Sequence, residues 1–150
     1  MLTCLICGGD LQQDTAEVTE LLREPPKGWS ASLVASRPQR VLRHLILAQI
    51  LIDDQKIDEA ESLVLVAHEF VHNRTIPGNY FIGVADQVMG NWLAAKGQVS
   101  EAESCLLAAV DNLRTSRGPT HRLTMSALES LKQLYRTTGR MNDLERLDEK

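Results

Sequence analysis

The chain has 150 residues, 43% hydrophobic and 24% charged, with a formal net charge of −4. That length holds one domain or one short repeat array with a core of its own. The acidic balance argues against a nucleic-acid surface, which needs a basic stripe, and no apolar run approaches the roughly 18 residues of a membrane helix.

The N-terminus lacks the basic flank and long apolar core of a signal peptide. Three cysteines, an odd count, do not suggest a disulfide framework, so a cytoplasmic chain is expected. Aromatic residues are only 4% and β-branched alternation is scarce. From residue 39 onward Leu, Ile, Val and Ala recur at helical spacing, which predicts an all-α fold.

Residues 1–38 read as an N-terminal helix and loop. Cys4 and Cys7 form a C-x-x-C followed by Gly8-Gly9, which resembles one knuckle of a zinc ribbon. A closed zinc site needs four ligands, and Cys105, the remaining cysteine, lies far away in an amphipathic stretch. The pair is therefore read as a helix tail ending in a Gly-rich turn. TAEVTELLRE (15–24) predicts an amphipathic helix stopped by Pro25 and Pro26, and EPPKGWSAS (24–32) predicts a loop. Together these segments fit the tail of one helix, its turn and a second helix, and the chain is expected to be the end of a longer protein.

LILAQILIDDQ (45–55) predicts the end of a long helix, and KIDEAES (56–62) the start of the next. That second helix carries His68-Glu69-Phe70-Val71-His72, an H-E-x-x-H. Positions i and i+4 share a helix face, so both imidazoles can hold one Zn²⁺ while Glu69 activates a water. A catalytic zinc needs a third protein ligand. The carboxylates on adjoining helices, Asp86 and Glu101, sit in no sequence context that marks one.

QVMGNWLAAKG (87–97) with QVSEAES (98–104), and ESLKQLYRTTG (129–139) with RMNDLER (140–146), repeat the same pattern. Each copy follows the last by 42 residues. Small Ala48 and Gly90 share one register, and Leu51, Leu93 and Tyr135 sit three residues later. Gly97 and Gly139 fall where a helix end needs a left-handed residue. Asp58 and Ser100 fall near the next helix start, where a short polar side chain caps free N–H groups. Ala60 and Ala102 supply a further point of close contact.

The small-then-large pair, the Gly97–Glu103 turn with its Glu-Ala-Glu, and the linker GPTHRLT (118–124) resemble the tetratricopeptide repeat family. The likeness is to its 42-residue form, found in kinesin light chains and many bacterial signalling proteins. It covers about residues 39–150, as repeats 39–80, 81–122 and 123–150. Lys132 and Leu144 depart from the small residues of that pattern, and Asp148 falls where a large apolar residue is usual. The last helix is polar, as a capping repeat should be.

In the repeat register HEFVH becomes the end of a second helix, with His68 matching Val110 and His72 matching Arg114. Its histidines there complement the helix dipole, and no metal is assigned to them. His121 is the linker histidine, expected to order its turn, and His44 sits at a packing edge. No Gly-rich phosphate loop or nucleophile elbow occurs, so no catalytic residue and no cofactor is expected.

The resemblance implies an α-α superhelix, a solenoid of about three helical hairpins plus an N-terminal partial repeat. It also implies a concave groove for a protein or peptide partner. Groove positions carried over by register are Leu45, Gln49 and Ile52, then Gln87, Asn91 and Ala94, then Glu129, Gln133 and Arg136. The Lys and Arg residues of a chaperone-type carboxylate clamp are absent. The expected function is a non-catalytic interaction module, without nucleic acid or membrane partners and with self-association through the N-terminal end face. The rivals are a zinc metallopeptidase using His68, Glu69 and His72, and an array that docks against other domains as the C-terminal part of a larger signalling protein.

Overall fold

The computed structural model of the chain describes residues 38–74 and 78–148. The expected helix at 15–24, the loop at 24–32, the Cys4/Cys7 pair and the truncated first repeat lie outside them. The described residues form six α-helices and no strand. They are α1 (Pro38–Asp53), α2 (Ile57–Arg74), α3 (Tyr80–Ala95), α4 (Val99–Arg117), α5 (Arg122–Thr137) and α6 (Met141–Asp148). The fold is all-α. Helices α1, α3 and α5 begin and end 42 residues apart, and α2, α4 and α6 begin 42 residues apart, so the sequence period is also a structural one.

Local chemistry sets these boundaries. The Asn79 side chain opens α3 by accepting from the Phe81 N–H at 3.0 Å. His121 opens α5 in the same way, its Nδ1 accepting from the Leu123 N–H at 3.2 Å. Thr124, fully buried, donates its hydroxyl to the Gly118 carbonyl at 2.8 Å, so the GPTHRLT linker closes on itself. The helix-pair turns place Gln55, Gly97 and Gly139 at φ of 63°, 80° and 71°, again 42 residues apart. Two glycines take that left-handed position without strain, whereas Gln55 holds it against the clash of its own Cβ. Ser100 does not cap α4: the helix starts at Val99, and the cap residue Gln98 makes no side-chain cap bond.

Each helix packs on its successor, and α1 also meets α3, as α3 meets α5. Small residues sit where helices approach closest. Ala48, Ala60, Ala102, Ala109 and Ala127 are all fully buried. A Cβ on Gly90 would lie 2.6 Å from Leu106 Cγ and 3.2 Å from the Ala102 carbonyl, so α3 and α4 close only because that atom is missing. Leu106 fills the space, and burying a side chain of that size contributes about 1.5–3 kcal/mol. The third hairpin, with Lys132 and Leu144 at these positions, relies on a polar link. Glu103 on α4 accepts from the Tyr135 hydroxyl at 2.8 Å and from Arg140, which also donates to Asp143.

Candidate functional site

A cleft of about 580 Å³ runs across α1, α3 and α5. The first helix of each pair therefore contributes to one continuous surface. Six of the nine positions carried over by register line it: Gln49, Ile52, Asn91, Ala94, Glu129 and Gln133. Arg136 lies beside it, donating to Glu129 at 2.6 Å and to Gln133 at 3.5 Å.

Leu45 and Gln87 do not line it. Leu45 is 0% exposed within the apolar core, and Gln87 is 2% exposed. Gln87 donates through Nε2 to Ser126 at 2.9 Å and Ser130 at 3.2 Å, which spends it on the α3–α5 contact. The equivalent Glu129 is exposed, and α5 has no later first helix among the described residues to cover it. Register fixes position along a helix; the neighbouring helix decides whether that position meets a partner.

The cleft wall is organised by amides. Asn91 donates to Gln49 Oε1 at 2.8 Å, and Gln49 Nε2 donates to Asp53 Oδ1 at 2.9 Å. This relay joins α3 to α1 between residues one repeat apart. With its amide hydrogens directed at Gln49, Asn91 keeps its own carbonyl oxygen as an acceptor. Burial pushes the Asp53 carboxyl up, the Gln49 bond opposes that, and the neighbouring Asp54 charge raises it further. Among the described residues the cleft is lined by two carboxylates, Asp53 and Glu129, and by no Lys or Arg. Sequence reasoning missed Asp53, Ser126 and Ser130. The i, i+4 spacing of Gln49 with Asp53 and of Ser126 with Ser130 was the available signal.

A second cluster lies at the joint between α2 and α3. His68 Nε2 and His72 Nε2 stand 2.9 Å and 2.7 Å from the same oxygen, Asp86 Oδ1. The ring centroids are 4.3 Å apart. Asp86 is 8% exposed at its side chain, His68 26% and His72 41%. None of the three lines the cleft. Glu69 is exposed on α2. Cys105 on α4 is half-buried; burial first, then the Asp86 and Glu101 carboxylates, push its thiol up. Burial, then the adjacent Arg43, lowers the pKa of His44 on α1.

Comparison with protein-family models, with curated proteins and with solved structures returns no match. No helix among the described residues is long and apolar enough to cross a membrane.

Proposed function

We propose that the chain is a tetratricopeptide-type superhelical array acting as a non-catalytic, cytoplasmic protein–protein interaction module. Its cleft takes an extended peptide segment or a partner helix. The observation that carries this reading is the continuous cleft on α1, α3 and α5, lined by residues in the same repeat register. In helical solenoids a concave face built from successive repeats is the usual binding surface.

The lining chemistry sharpens the partner class. The Asn91 carbonyl and the Asp53 carboxylate favour a ligand that brings donors, while the Ser126 and Ser130 hydroxyls, whose oxygens accept from Gln87, keep their protons to donate. Backbone N–H groups of an extended peptide, or a Lys or Arg side chain beside Asp53, satisfy the two acceptors. An acidic C-terminal tail has no Lys or Arg to meet in this cleft.

The test is selection of peptides against the full chain, followed by affinity measurement on Asn91→Ala and Gln133→Ala variants. Selected peptides should bind the double variant at least about tenfold more weakly, the scale of one lost hydrogen bond of about 1.4 kcal/mol. A photo-crosslinker at Gln133 should capture the peptide, and one at exposed Leu107 on α4 should not. Peptides that bind the double variant unchanged sink the cleft assignment.

A further inference from the structure

The His68, His72 and Asp86 side chains lie at one joint, with their ligand atoms all within 4.8 Å of one another. We infer that these three residues form a binding site for a divalent transition metal of the zinc class, which staples α2 to α3. The inference does not rest on the cleft.

The spacing supports coordination. Ligand atoms about 2.1 Å from a shared metal lie roughly 3 Å apart when cis at right angles and about 3.4 Å apart in a tetrahedron. The two histidine–aspartate separations, 2.9 Å and 2.7 Å, approach that range. Small side-chain rotations complete it, because two ligands share one face of α2 and the third stands on the adjoining helix. Without a metal, a proton on each Nε2 is what lets the rings face the Asp86 carboxylate oxygen, which can only accept. On binding, that proton moves to Nδ1 through solvent and the freed lone pair takes the metal.

The donor set selects the metal class. Two imidazole nitrogens and one carboxylate oxygen suit Zn²⁺, Co²⁺ or Ni²⁺, whereas Mg²⁺ and Ca²⁺ favour all-oxygen sites. The electrostatics favour a cation as well. Among the described residues Asp86 pairs with no Lys or Arg, and its side-chain hydrogen bonds go to the two rings.

The fold does not require this cluster. One repeat later the same three positions are Val110, Arg114 and Leu128. Val110 is buried in the apolar core and Leu128 packs against it. A joint of identical register closes without the triad.

The chain is stripped with chelator and titrated with Zn²⁺ by calorimetry, in a Cys4→Ser/Cys7→Ser background that removes the C-x-x-C thiols as competing ligands. One zinc per chain is expected, and a higher melting temperature with zinc than without. His72→Ala, at a well-exposed ring, keeps the helical content by circular dichroism. It should weaken binding by at least about 100-fold, beyond the roughly 10–100-fold typical of outer-shell changes, and abolish the thermal shift. Absence of zinc binding at micromolar concentration, or equal affinity in His72→Ala, overturns the site. Binding without a thermal shift, or zinc-dependent cleavage of peptides, overturns the staple.

Discussion

The α2–α3 joint and the α4–α5 joint share one register and differ in chemistry. The first gathers His68, His72 and Asp86; the second sets Val110, Arg114 and Leu128 at the same positions. The second joint places its polar link elsewhere, between Tyr135 on α5 and Glu103 on α4. The repeat thus dictates where helices meet, through buried Ala and Gly, and leaves the filling of each joint to the individual residues. A feature found at one joint and missing from the other is therefore not a requirement of the backbone.

The sharpest way to break this comparison is to exchange one residue in opposite directions. In an Arg114→Ala background, which removes the cation at the His72 position, Leu128→Asp puts a carboxylate against the apolar core without a cation or ring in register to meet it. It should cost about 3 kcal/mol, read as a shift in the urea midpoint. Asp86→Leu removes the shared acceptor of two partly exposed rings that water can reach. It should cost less, about 1–2 kcal/mol. Equal costs would mean that the two joints are not chemically distinct.

Tyr135→Phe removes the hydroxyl donor to Glu103 and leaves Arg140 in place, so about 1 kcal/mol is expected from the same denaturant curve. A smaller effect is a pH dependence at the second joint. Hydrogen bonds, first from Arg140, hold the Glu103 carboxyl below its usual 4.5, against the cost of burial. The contribution is fully present above that value and drains away as pH falls through the lower folded one. At the alkaline end Tyr135 is pushed up to about 12, by burial first and then by Glu103. Between pH 10 and about 12 the unfolded chain loses the phenol proton while the folded chain keeps it, so stability falls as pH rises. Melting temperatures across that window should lose this alkaline slope in Tyr135→Phe. A slope that survives the substitution belongs to some other group.

Much of this fold was legible because its determinants are local. The 42-residue period, the buried alanines and the left-handed glycines at 97 and 139 are readable from short stretches. The helix that starts at Val99 defeated the cap expectation for Ser100, since polar residues near a boundary mark it only to within a residue or two. The site was legible in part. Gln49, Asn91, Glu129 and Gln133 line the cleft, whereas Leu45 and Gln87 are buried in contacts that only the packed helices reveal. Asp86 was visible as a carboxylate near H-E-x-x-H. Its meeting with both rings depends on how α2 settles on α3, which no spacing rule encodes. Nothing in the letter Gln marks position 55 as left-handed; only its alignment with two glycines does.

That recurring left-handed turn has a consequence for how such a chain changes length. The backbone enters and leaves each 42-residue unit at the same conformation, at residues 55, 97 and 139. A copy of residues 56–97 spliced in after Gly97 would meet a matched junction at both ends. Growth or loss by whole units therefore needs no new turn to be invented. An insertion of any other size within a helix rotates the residues beyond it off their packing face.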